Sequence, residues 1–154
     1  MDQRPQPLER RTTGIVENCA KKISDLAPFI RLQPEKDSRL IGKITEFEPS
    51  KVARAREYLT AGGLIDLVEI REGDALETLS ADLPATIDFV LLDGAKALYP
   101  EVLDLLEARL RPGALIIADN ADFSAGYLAY MRSPANGYVS IHFGEDVELS
   151  MRLG

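Results

Sequence analysis

The chain has a single cysteine, Cys19, so it can build no internal disulfide framework, and nothing around that thiol suggests a nucleophile; a packed or idle side chain is expected. It has no basic run able to track a phosphate backbone. The balance of 18 Lys and Arg against 25 Asp and Glu leaves a net charge of -7, which argues against nucleic acid as a partner. No apolar run reaches membrane-spanning length and no charged-then-apolar leader opens Met1 to Arg11, so a soluble, cytoplasmic protein without a membrane partner is expected. Histidine is limited to His142, expected at a strand surface rather than as a ligand. No Gly-x-Gly-x-x-Gly follows a strand anywhere, which removes support for a nicotinamide-dependent dehydrogenase.

What is present is an alternation of apolar runs and helical patterns from Arg39 onward, the mark of strand-helix-strand units and an α/β fold with a parallel sheet. In a chain of 154 residues this implies one domain over 14–154, preceded by an Arg-, Gln- and Pro-rich arm over 1–13. Strands are expected at Leu40 to Phe47, Leu67 to Ile70, Asp88 to Leu92 and Ala114 to Ala118. Helices are expected after Pro49-Ser50 up to Gly62-Gly63, briefly around Leu76 to Leu79, and over Pro100 to Leu110. Arg111-Pro-Gly113 reads as a turn. Ala114 to Ala118 (ALIIA) has no polar residue and is expected to be buried on both faces. Tyr138 to Phe143 and Val147 to Leu153 are separated by only Gly144-Glu145-Asp146, too short for a parallel crossover, and so form an antiparallel hairpin. Before Arg39, Gly14 to Glu17 is a candidate strand and Asn18 to Leu32 a candidate helix bent at Pro28.

Ligands of open parallel sheets bind outside the carboxyl ends of the strands, and the chain places polar residues there repeatedly. Glu46 closes the first strand, Asp74 follows the second, Asp93 and Lys96 the third, Asp119 and Asn120 the fourth. Asp93, Asp119 and Asn120 offer oxygen donors without imidazole or thiolate, a set suited to a hard divalent cation such as magnesium. Read singly, Asp93 and Asp119 are better explained as helix caps or turns after the strand and Asn120 as a turn residue, and it is their convergence that points to a cation; Lys96 is either an ion-pair partner of the carboxylates or a proton acceptor. Glu46 is placed to accept hydrogen bonds from a ribose or to cap a helix. Phe123, Tyr127 and Tyr130 follow at helical spacing and are expected in the core more than in a substrate pocket.

ITEFEPSKVARAREYL, EIREGDALETL, IDFVLLDGAKALY, LRPGALIIADNADF and the closing hairpin resemble, in order and spacing, the catechol O-methyltransferase-like enzymes (O-methyltransferase family 3), a divalent-metal-dependent branch of the S-adenosylmethionine-dependent methyltransferases. The resemblance covers Arg39 to Leu153. It implies a Rossmann-like class I methyltransferase sheet, mostly parallel with a C-terminal antiparallel hairpin and shortened at the N-terminus. It also implies Asp93, Asp119 and Asn120 as magnesium ligands, Lys96 as general base, Glu46 on the cofactor ribose, Asp74-Ala75 beside the adenine, and Asp93 close to the cofactor. A small hydroxylated, aromatic acceptor would be deprotonated with help from the cation and would attack the sulfonium methyl in line. A homodimer is expected.

One departure from the family is plain. The acidic-x-Gly-x-x-x-Gly loop after the family's first strand corresponds here to Val16-Glu-Asn-Cys-Ala-Lys-Lys-Ile23, which has no glycine. Either Glu17 takes the place of the loop's acid in an altered cofactor loop, or the strand is lost and its neighbours are left unpaired or re-paired. The second case makes the chain a catalytically inactive methyltransferase-like domain, used for binding or dimerisation.

Overall fold

The computed structural model describes residues 42–154. The expected arm, the Gly14 to Glu17 strand, the Asn18 to Leu32 helix and Cys19 lie outside the described residues. The chain divides between Gly73 and Asp74 into two compact units, each described by itself.

The first unit holds β1 (Gly42–Glu46), α1 (Pro49–Ala61), a short 3-10 turn (Ile65–Leu67) and β2 (Val68–Glu72). Pro49 sits in the first turn of α1, where its missing N–H costs nothing, and Val52, Ala55 and Leu59 recur at helical spacing as the buried stripe. The helix stops at Gly63, whose left-handed φ of +67° turns the chain so that the Leu64 N–H donates to the Leu59 carbonyl at 2.8 Å. β1 and β2 pair in parallel from Gly42↔Val68 to Glu46↔Glu72. Lys43 faces Glu69 across this pair at 2.8 Å, with Arg71 on the same carboxylate at 2.7 Å.

The second unit holds α2 (Ala75–Thr78), β3 (Ile87–Leu92), α3 (Tyr99–Glu107), β4 (Leu110–Ala118), α4 (Ala125–Met131), β5 (Tyr138–Phe143) and β6 (Val147–Arg152). Its sheet runs β3-β4-β6-β5, parallel between β3 and β4 and antiparallel elsewhere, so the expected hairpin is present. Val102, Leu103 and Leu106 of α3 and Tyr127 and Met131 of α4 join Ala114, Ile116 and Ala118 of β4 in one core. Among the described residues β1 pairs only with β2, and β3 only with β4.

Two expectations need correction. The turn at Arg111-Pro-Gly113 lies inside β4 as an irregularity of the ladder: Ile87 pairs with Leu110 and Phe89 with Leu115, the excess chain being accommodated with Gly113 at φ +83°. Nor is ALIIA buried on both faces, since Leu115 is 40% exposed while Ala114, Ile116 and Ala118 are inside. The register puts Phe89, Leu115, Met151 and Val139 in one row across all four strands, and each member is exposed. An all-apolar strand is compatible with one covered face or two, and here the helices of this unit cover one.

Candidate functional site

β3 and β4 run in register as far as Leu92↔Ala118, so the next residue of each, Asp93 and Asp119, leaves the sheet at the same edge. The Asp119 N–H continues the ladder by donating to the Leu92 carbonyl at 2.8 Å. Tyr99, at the start of α3, secures this edge. Its buried hydroxyl lies 2.8 Å from the Leu92 carbonyl oxygen and 2.9 Å from that of Asp119, so one O–H spans both strand ends. The ring meets Tyr127 edge-on at 5.6 Å. Burial first, then the charges of Asp93 and Asp119, push the Tyr99 phenol well above its ordinary value, which keeps it a donor and rules it out as a base. Tyr99→Phe is therefore expected to cost about 1 kcal/mol, through loss of the one donor shared by the Leu92 and Asp119 carbonyls, of which Leu92 keeps the Asp119 N–H. Denaturant unfolding measures this; unchanged stability would mean that the hydroxyl does not tie the strands.

Lys96 opens the 3-10 turn Lys96–Leu98 that leads into α3. Its side chain is 15% exposed, with Nζ 3.6 Å from Asp93 Oδ1 and 5.4 Å from the centre of the Tyr99 ring. Nζ is buried and donates no hydrogen bond among the described residues. An ammonium so placed has an ionic neighbour and a ring face but unused N–H capacity, a costly state unless a ligand completes it.

Asn120 adopts the left-handed conformation, φ +48° and ψ +41°, which asparagine tolerates better than most residues. Its amide nitrogen donates to the Asp146 carboxylate in the hairpin loop, and the next residue, Ala121, donates its N–H to the Asp146 carbonyl at 3.0 Å. Asp93, Asp119 and Asn120 thus share one end of the β3–β4 pair. Among the described residues no group of three or more imidazole, thiolate or carboxylate side chains gathers. A cation here would depend on two carboxylates, the amide oxygen of Asn120, and water or substrate. That donor chemistry fits a hard divalent ion, and the buried Lys96 Nζ without a hydrogen bond fits a site completed by ligand.

The other expected site residues have visible structural roles. At the end of β1, Glu46 accepts the Glu48 N–H through Oε1 at 2.8 Å, and its carbonyl accepts the Gly73 N–H at 3.0 Å. Asp74 caps α2, its Oδ1 accepting the Leu76 N–H at 2.7 Å, and Ala75 begins that helix. Glu46 belongs to the first unit and the Asp93–Asn120 group to the second. Glu17 lies outside the described residues. Tyr127 is fully buried, as expected of a core residue, and its phenol is pushed up to about 12, chiefly by burial. Phe123 is 76% exposed, three residues beyond Asn120. His142 is exposed on β5.

Three residues escaped the sequence reading. Tyr99 carried a signal, lying one helical turn beyond Lys96. Asp146 and Glu148 carried none, because their partners come together only in the fold. Glu148, opposite Ala118 in the sheet, is fully buried. Arg132 holds it with two bonds, Nε to Oε1 at 2.8 Å and Nη2 to Oε2 at 2.6 Å, and the Ser140 hydroxyl donates to Oε1 at 2.6 Å. With both oxygens engaged, Glu148 braces the hairpin and is not a ligand candidate.

A Rossmann-type α/β unit with acids at adjacent strand ends defines a class, and comparison with known proteins identifies it. Residues 28–121, well over half of the chain, match the methyltransferase-domain family, and the chain belongs to that family. It is similar to a catechol O-methyltransferase of Niastella koreensis, 33% identical over 88 residues, as the catechol O-methyltransferase-like resemblance anticipated. That alignment takes in 55% of this chain and 39% of the relative, so the chain spans well under two thirds of the relative's length. An O-methyltransferase from Bacillus cereus, solved in complex with SAH, superposes with a TM-score of 0.64 at 15% identity, over 96% of this chain and 94% of that one. The O-methyltransferase TomG of Streptomyces achromogenes, solved in complex with SAM, reaches 0.63 at 25% identity, over 78% and 64%. The Rossmann-like methyltransferase fold is borne out. No helix among the described residues is long and apolar enough to cross a membrane.

Proposed function

We propose that the chain is an S-adenosylmethionine-dependent, divalent-metal-dependent O-methyltransferase acting on a small hydroxylated, aromatic acceptor. The observation that carries this reading is the placement of Asp93 and Asp119 at the ends of two adjacent parallel strands, with the Lys96 ammonium 3.6 Å from Asp93. Its similarity to a catechol O-methyltransferase, and the SAH and SAM held by two structural relatives, support the choice of cofactor and acceptor.

Asp93, Asp119 and Asn120 would hold the cation. Bound there, a divalent cation, magnesium in this reading, supplies Lewis-acid polarisation that lowers the pKa of an acceptor hydroxyl from about 10 for a phenol. Lys96, in its neutral amine form, would take the hydroxyl proton at Nζ and become the ammonium, since Tyr99 is held protonated. Glu46 would bind the cofactor ribose through the oxygen not engaged by the Glu48 N–H. Asp74 and Ala75 would flank the adenine, Glu17 would serve as the acid of the cofactor loop, and Asp93 would also border the cofactor. The exposed ring of Phe123, close in sequence to Asn120, offers a flat apolar contact suited to an aromatic acceptor. The working assembly in this reading is a homodimer.

The test is calorimetric titration of S-adenosylmethionine into the protein with magnesium, then with chelator. Saturable binding is expected. No heat at millimolar cofactor would instead favour an inactive methyltransferase-like domain used for binding or dimerisation.

A further inference from the structure

We propose that Asp146 is a positioning residue that orients the Asn120 amide so that its oxygen is the end offered to a cation. This rests on the reading of Asp93, Asp119 and Asn120 as oxygen donors given above. An asparagine amide has two chemically opposite ends of nearly equal size, and only Oδ1 can ligate a cation. Without a neighbour to discriminate between them, the two orientations differ little in energy. Asp146 discriminates, because an ionised carboxylate only accepts. It takes a hydrogen bond from Asn120 Nδ2, whereas a flipped amide would set oxygen against oxygen. Donation to a carboxylate also shifts electron density toward Oδ1, strengthening it as a donor to a metal, as partners behind metal ligands generally do.

The main chain makes this arrangement specific. The Ala121 N–H donates to the Asp146 carbonyl at 3.0 Å, so the hairpin loop is fastened to the Asn120-Ala121 segment independently of the side chain. Asn120 itself is held at φ +48°, a conformation that gives its side chain a fixed point of departure. Removing the Asp146 carboxylate should leave the loop in place and release only the amide.

The experiment measures Mn2+ affinity by electron paramagnetic resonance, on the full chain without cofactor or acceptor, for wild type, Asp146→Ala and Asp146→Asn. Asp146→Ala is expected to weaken binding about 10–100-fold. Asp146→Asn keeps the size of the side chain but can donate as well as accept, so it no longer tells the two ends of the Asn120 amide apart and is expected to weaken binding as well, a loss that a purely structural clamp, satisfied by either amide orientation, would not show. Wild-type affinity in Asp146→Ala overturns the proposal while leaving the cation reading standing. A wild type that takes up no Mn2+ overturns the cation reading and this inference with it. A second measurement needs no variant that might fail to fold: the Asn120 side-chain NH2 protons of the wild type should be protected from solvent exchange before metal is added. Exchange at the rate of an open amide would overturn the proposal.

Discussion

Asp93→Ala and Asp119→Ala are each expected to lower methyl transfer at least about a hundredfold, the scale on which a charge placed for the transition state usually counts. The two substitutions should act alike because the residues occupy equivalent places, one step beyond the paired Leu92 and Ala118. They differ in what they leave behind. At Asp119 the structural bonds use the backbone: its N–H donates to Leu92 and its carbonyl accepts from Tyr99. Asp119→Ala should therefore keep wild-type stability. The Asp93 side chain is only 6% exposed beside a Lys96 that is 15% exposed, so alanine there strips a buried ammonium of its ionic neighbour. Asp93→Asn, nearly isosteric, separates loss of chemistry from loss of folding. A radiolabelled methyl-transfer assay with a catechol-type acceptor reads both variants, with a chelator on the wild type as control. If neither substitution nor chelation lowers the rate, the metal mechanism is wrong.

The second large effect concerns stability. Arg132→Met is expected to destabilise the fold by about 3 kcal/mol, or roughly 6–12 °C in melting temperature for a chain of this size. The reason is the asymmetry of the pair: the Arg132 side chain is 47% exposed and can return to water, while that of Glu148 is 1% exposed and cannot. Removing the arginine leaves a buried carboxylate with only the Ser140 hydroxyl of its present donors. Glu148→Gln should cost less, because the amide brings no charge into the interior and Arg132 can be solvated. The double substitution to Met and Leu should recover part of the loss.

The same pair has an acid signature. The Arg132 bonds hold the Glu148 carboxyl below its ordinary value of 4.5. Because the folded value is depressed, the pair's contribution is present above pH 4.5 and is lost as pH falls through the lower folded value. Unfolding curves of wild type and Glu148→Gln should converge as the pH drops below 4.5. A gap independent of pH would show that the carboxylate's charge is not what Arg132 stabilises.

Much of this was written locally. Pro49 and Gly63 mark the start and stop of α1, whose apolar residues recur every three or four positions, and the three-residue loop before Val147 dictates a hairpin because no crossover fits in it. Asp93, Lys96, Asp119 and Asn120 could be marked as candidates because an apolar strand that ends in charge is visible in one dimension. Local pattern is set by backbone geometry, which repeats every two or 3.6 residues and leaves its period in the chain.

Other features depended on which segments meet. That Leu115 faces outward while Ile116 does not was undetermined, because an apolar strand does not record how many of its faces a helix will cover. Tyr99 joins two strand ends, Asp146 grips an amide 26 residues earlier, and Glu148 finds Arg132 16 residues back. The sequence by itself determined the elements, their order and the acids at the strand ends. Only the tertiary structure decided which polar groups brace those acids, because a hydrogen bond between distant segments depends on the register of the sheet and leaves no periodic trace in the chain.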